Sequence, residues 1–106
     1  MDLKTKAQYE ARAGIIKAMG HPSRLFMIEE LSRGERCVCE LTSMIGADIS
    51  TVSKHLSMLK NVGIVKYDKR GSKIFYSLRV PCILKFLSCV EKVLQANAKD
   101  GVAMIK

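Results

Sequence analysis

Residues 36–65 read RCVCELTSMIGADISTVSKHLSMLKNVGIV, and this stretch decides the fold. Asp48 is a good N-cap for a helix reaching Asn61, with Val52, Leu56 and Leu59 on its inward stripe. Gly63 closes that helix. Ahead of it, a short helix covers about Cys37 to Ile45 and stops at Gly46. Two helices joined by so tight a turn form a helix-turn-helix, here spanning about residues 37–61. The second of the pair is short, polar and basic. The first carries two thiols, Cys37 and Cys39, one residue apart.

Upstream, Lys4 to Met19 has a helical stripe of Ala7, Ala11, Ile15, Ala18 and Met19. Gly20-His21-Pro22 ends it, and Pro22 suits the start of the next helix, with His21 as its cap. That second helix, Ser23 to Arg33, presents Leu25, Ile28 and Leu31 with Phe26 and Met27, and Gly34 stops it. Downstream the period changes. Ile64-Val65-Lys66-Tyr67-Asp68 and Ile74-Phe75-Tyr76-Ser77-Leu78 are β-branched and aromatic runs around Arg70-Gly71-Ser72, which predicts a two-strand hairpin over about 64–78. From Pro81 to about Asn97 a last helix carries Ile83, Leu84, Phe86, Leu87, Val90, Val93 and Leu94, and the final residues read as frayed.

The predicted order is α-α-α-α-β-β-α, a mainly α (α+β) chain with the hairpin as a wing: a winged helix-turn-helix over residues 1–106 as one domain. The last helix has a broad apolar face for so small a chain. Together with the first helix (about 81–97 and 4–19) it would close a two-fold dimer, presenting two recognition helices to a palindromic site.

Bulk composition agrees. The chain has 106 residues, 48% apolar and 26% charged, which is ordinary globular usage. No apolar run approaches the roughly 20 residues that span a bilayer, and the start, MDLKTKAQYEARAG, has no apolar core of a secretory signal. The expected compartment is the cytoplasm, where four cysteines stay reduced and count as ligands or sensors before bridges. The net charge is +8. Between residues 48 and 85 eight Lys or Arg face two Asp, whereas residues 21–47 are nearly balanced. A basic second half is the footprint of a nucleic-acid binder. Six aromatics and no Trp argue against a base-stacking single-strand or RNA platform.

With these elements in place, the chain resembles the ArsR/SmtB family of metal-responsive repressors, most closely its arsenic-responsive branch. The likeness covers nearly the whole chain and rests on GHPSRL at 20–25, ERCVCEL at 35–41, STVSKHLSMLKNVGIV at 50–65 and KRGSKIFYSL at 69–78. It implies a homodimeric repressor, not an enzyme, that releases double-stranded operator DNA when a metal or metalloid binds. Two positions depart from the family pattern: Ile49 stands where Gln is frequent, and Thr42 where the arsenic branch often has a third cysteine.

The residues themselves suggest the same division of labour. Ser50, Thr51 and Ser53 are small hydroxyls at a helix start, suited to base edges, with Lys54, His55 and Lys60 beside them for phosphates or packing. Lys69, Arg70 and Lys73 sit at the hairpin tip, where a wing meets the backbone or minor groove. Thiolates at Cys37 and Cys39 select arsenic(III), antimony(III), cadmium, lead or zinc over calcium or magnesium. Side chains two apart on a helix do not converge, so both sulfurs reach one ion only if the helix start is frayed or distorted. Cys82 and Cys89, about 10.5 Å apart along the last helix, are either further ligands or small hydrophobes. No obligatory cofactor is expected. Two other readings share the thiols: a redox or persulfide switch on the same fold, and a small thiol oxidoreductase.

Overall fold

The computed structural model describes residues 1–101; the expected frayed end at 102–106 lies outside them. Eight elements follow in chain order: α1 (Leu3–Met19), α2 (Pro22–Ser32), β1 (Arg36–Cys37), α3 (Val38–Ile45), α4 (Ile49–Asn61), β2 (Val65–Arg70), β3 (Lys73–Leu78) and α5 (Ile83–Lys99). This is a winged helix-turn-helix of five helices with one strand more than the sequence suggested. The extra strand, β1, makes an antiparallel sheet of order β1-β3-β2, with Cys37 opposite Phe75 and Arg36 opposite Tyr76. Two residues are too few to show alternation, so the pattern of side chains carried no sign of it.

Local chemistry sets the helix limits. Asp2 Oδ1 accepts from Thr5 N–H at 2.7 Å and opens α1. His21 Nδ1 accepts from Ser23 N–H at 3.0 Å, as its expected cap role requires, and α2 begins at Pro22 rather than Ser23. Asp48 Oδ1 accepts from Thr51 N–H at 2.8 Å at the start of α4. Gly46, at φ 78°, adopts the left-handed conformation that ends α3 and turns the chain into α4. The last helix starts at Ile83 and runs to Lys99, two residues later at each end than the apolar pattern implied.

The core is Met19, Met27, Ile28, Leu31, Leu41, Val52, Leu56, Leu59, Ile64, Val65 and Tyr76. It lies between α2, α3, α4 and the sheet. On α2 the buried stripe is Arg24, Met27, Ile28 and Leu31, so Leu25 and Phe26 turn outward, against expectation. A helix periodicity of 24-27-28-31 fits the i, i+3, i+4, i+7 rule as well as the leucine-led one, and a charged first member disguised it. The stripe expected on α1 is also partly overturned: only Ala18 and Met19 are buried, while Ala7, Ala11 and Ile15 are exposed. On α5, Ile83, Leu84 and Leu87 pack against the core, but Phe86, Val90, Val93 and Leu94 face outward.

Candidate nucleic-acid interface and thiol site

The front of α4 is built for approach. Ser50, Thr51 and Lys54 are exposed, and Ser53 is half-buried beside them. The Ser50 hydroxyl donates to Asp48 Oδ1 at 2.7 Å. That bond and the Thr51 N–H hold the Asp48 carboxyl down at about 2. The cap is therefore charged throughout the neutral range, and it supports the helix start through its dipole as well as its hydrogen bond. Lys60, half-buried, carries its ammonium 4.9 Å from the Tyr67 ring centroid.

His55 points the other way, into the joint between α2 and α4. Its ring lies 4.4 Å from that of His21, centroid to centroid, and Arg24 Nη1 lies 2.9 Å from its Nδ1. A guanidinium only donates, so Nδ1 accepts and the imidazole is neutral with its proton on Nε2. Burial, reinforced by electrostatic coupling to His21 and by the Arg24 cation, pushes the His55 pKa down. Arg24 itself is 9% exposed. Its Nε donates to the Ala18 carbonyl and its Nη1 also reaches Met58 Sδ at 3.3 Å, so one cation ties α1, α2 and α4 together. Sequence reasoning missed it; an Arg on the apolar stripe of a helix was the available sign.

The wing cations divide. Arg70 is held by Glu35, with Nη2 donating to Oε2 at 2.9 Å, and by Asp68 at 2.9 Å, over the Phe75 ring. These contacts raise the Arg70 pKa and lower that of Glu35. Lys69 and Lys73 are exposed and form no ion pair among the described residues.

Cys37 is not in α3, as the sequence implied, but caps it. Its backbone is extended, its Sγ accepts from Glu40 N–H at 3.4 Å, and Glu40 Oε1 accepts from Cys37 N–H at 3.0 Å. This reciprocal capping box places Cys37 outside the helical screw. The Sγ atoms of Cys37 and Cys39 consequently meet, and the two are joined as a disulfide with their Cα atoms 5.4 Å apart. The expectation that helix geometry separates the sulfurs is corrected by this cap; where free thiols were expected, the structure joins the pair. Cys37 is buried and Cys39 exposed.

Beside the pair lies a cleft of about 210 Å³ lined by Cys37, Val38, Cys39, Ile49, Ser53, Ser72, Lys73 and Ile74. The thiols thus share one wall system with the front of α4 and the tip of the wing. Cys82, at the start of α5, and Cys89 are both exposed and do not line it. Among the described residues no group of three or more His, Cys, Asp or Glu is placed to hold one ion. In chemical terms the pair, once reduced, would offer two neighbouring sulfur ligands, enough for part of a trivalent metalloid's coordination and short of a closed tetrahedral zinc site. No helix among the described residues is long and apolar enough to cross a membrane.

Comparison with known proteins bears on this arrangement. The profile of "Bacterial regulatory protein, arsR family" matches residues 21–67. The uncharacterized HTH-type transcriptional regulator Rv0081 of Mycobacterium tuberculosis is 30% identical over 105 residues, covering 98% of this chain and 92% of that one. Its crystal structure superposes with a TM-score of 0.79 at 33% identity, over 91% of this chain and 97% of that one. A cadmium resistance regulatory protein CadC homolog of Staphylococcus aureus is 42% identical over 67 residues, 62% of this chain and 55% of its own. The homodimeric winged helix-turn-helix domain Mb0332 of Mycobacterium bovis shares the fold at a TM-score of 0.77 and 22% identity, over 100% of this chain and 97% of that one.

Proposed function

The chain belongs to the arsR family of bacterial regulatory proteins, and on that premise we propose that it is a repressor whose hold on its operator ends when a thiophilic ion closes on Cys37 and Cys39. Proteins of this family regulate transcription and are not enzymes, which removes the thiol-oxidoreductase reading. DNA binding is assigned to the front of α4, through Ser50, Thr51, Ser53 and Lys54, with Lys60 and the wing cations Lys69 and Lys73, unpaired among the described residues, on phosphates. Two copies joined through α1 and α5 would address a palindrome, each α4 entering one major groove.

One observation carries the reading: the cleft that begins at Cys37 and Cys39 is walled by Ile49 and Ser53 of α4 and by Ser72, Lys73 and Ile74 of the wing. Whatever closes on the sulfurs acts on both reading elements without an intermediary. The β1–β3 pairing adds a second route, because Cys37 is a ladder partner of Phe75 in the wing strand. Removing Cys37 from its capping position unseats α3, and α3 sets the angle of α4 through the Gly46 turn. The ion's differential affinity for the unseated form is what shifts the population away from DNA. Arsenic(III) and antimony(III) suit two convergent thiolates; cadmium, lead and zinc need further donors, from solvent or a second subunit.

The disulfide favours a second reading, in which oxidation or persulfidation of the same pair is the signal. A mobility-shift assay on the chain's own upstream DNA separates the two. Arsenite, antimonite, cadmium, lead and peroxide are compared on wild type, Cys37→Ser, whose hydroxyl still caps α3, Cys39→Ala, Cys82→Ala and Cys89→Ala, with thiol counting. The first two substitutions abolish release and leave DNA affinity within a few-fold. Release by peroxide but not by arsenite overturns the ion reading; normal release from both variants places the sensor elsewhere.

A further inference from the structure

We propose that Ile49 is a base-reading residue, whose side chain packs against the C5-methyl group of a thymine in the major groove and so fixes a T·A pair in each half-site. This deepens the DNA-binding reading of α4 and rests on it. Ile49 is the first residue of α4, directly after the Asp48 cap, and it is 58% exposed. Folding supplies no reason for that exposure. A β-branched residue ranks below the straight-chain ones as a helix former, and an acidic side chain suits a first turn better. Val38 and Ile74 share a cleft with Ile49 and account for its covered side only.

Its surroundings put it on the reading surface. Ser50 and Thr51 follow it and are exposed, and Ser53 and Lys73 line the same cleft. Ile49 thus stands between the polar front of α4 and a cation of the wing. The adjoining hydroxyl is already engaged, since Ser50 Oγ donates to Asp48 Oδ1 at 2.7 Å. The Thr51 N–H is held by the same oxygen at 2.8 Å. The helix therefore opens on hydrocarbon, beside polar groups tied back to the cap.

The chemistry of the groove decides which base this suits. Only thymine presents an apolar group there, its C5-methyl. Packing that methyl on Ile49 takes both out of water and is favourable. Guanine N7 and O6, or the cytosine amino group, would lose water against the same side chain with no partner in return. Attraction and rejection point the same way. Ile49 then sets specificity, whereas Lys54 and Lys73 set affinity.

The test uses the full chain, reduced and free of metal, and the duplex that it enriches from a random pool. Each thymine of that duplex is replaced in turn by uracil, which removes the methyl and keeps every hydrogen-bonding edge. Affinity for each duplex is measured with wild type, Ile49→Val and Ile49→Ser, with folding checked by circular dichroism. At one thymine in each half-site, replacement is expected to weaken wild-type binding roughly four-fold, the scale of one buried methyl group. Ile49→Val keeps most of that difference. Ile49→Ser binds both duplexes equally, and its salt slope stays that of wild type because no phosphate contact is lost. If no thymine is sensitive to uracil, or if the sensitivity persists unchanged in Ile49→Ser, the assignment is overturned and the DNA-binding reading stands. If wild type shows no salt-dependent binding to any duplex, both fall.

Discussion

Arg24 has traded water for three partners on two neighbouring helices, and no carboxylate balances it among the described residues. A cation held by neutral acceptors is stable only while each of them stays in place. Arg24→Ala is expected to lower unfolding free energy by roughly 3 kcal/mol, counting lost charge-assisted bonds and packing. Arg24→Lys does not restore it, because an ammonium cannot reach several fixed acceptors as a planar fork does. Denaturant titration of both variants checks this. His55 adds a pH dependence to the same joint. Its folded pKa is depressed, so the unfolded chain binds the extra proton first. The stability it contributes is complete above the unfolded value of 6.5 and declines as pH falls below it. His55→Asn keeps an acceptor near Arg24 and cannot titrate. The difference in unfolding midpoint between pH 7.5 and pH 5.5 is then smaller in the variant; an equal difference refutes the assignment.

At the level of elements, the wing is anchored to the thiol segment from two sides. Arg70 ties it to Glu35, and the β1–β3 ladder ties it to Cys37. Arg70 therefore brings little net charge to a phosphate, while Lys69 and Lys73 bring a full one. Lys73→Ala is expected to reduce the slope of log affinity against log salt by about 1, as loss of one phosphate contact does. Arg70→Ala, with its charge already balanced by Glu35 and Asp68, changes the slope by less than half as much. Binding isotherms at several salt concentrations decide, and equal effects count against the division of labour.

Much of this layer was legible in the sequence because its causes are local. Asp48, Gly46 and Pro22 mark helix ends within a turn of where they act, and the alternation of Ile74, Tyr76 and Leu78 announces a strand. What escaped notice depends on partners distant in the chain. Two residues pair with β3 from about forty positions upstream, Glu35 meets Arg70 across 35 residues, and Ile49 shares a cleft with Ile74 and the Cys37–Cys39 pair. Cys37 is the instructive case. Ser or Asp in that place signals a cap, whereas a thiol signals a ligand and hides the cap.

For the molecule as a whole, the outer helices are the unfinished part. A radius of gyration of 15.9 Å exceeds the roughly 13 Å of a compact chain this long, and α5 has no fully buried residue. Phe86 at 41%, Val90 at 45% and Val93 at 58% exposure form a row that a monomer leaves in water. A second copy covering this row through α1 and α5 is the arrangement we propose. Val93→Glu is then expected to convert a dimer into a monomer in sedimentation velocity and to weaken operator binding by roughly a hundred-fold, since a monomer engages one half-site. Unchanged sedimentation with this variant places the dimer contact elsewhere. The helical circular dichroism spectrum stays as in wild type, because the substituted side chain lies outside the core.

The uneven exposure of the two thiols also sets a timetable. Cys39 is open to solvent, whereas Cys37 is 3% exposed and fastened by the Glu40 bonds. In the reduced chain an incoming electrophile must anchor at Cys39 and wait there until the neighbouring turn momentarily loosens. Brief encounters would be shed before the second bond forms, so the latch filters by residence time as well as by chemical appetite for sulfur.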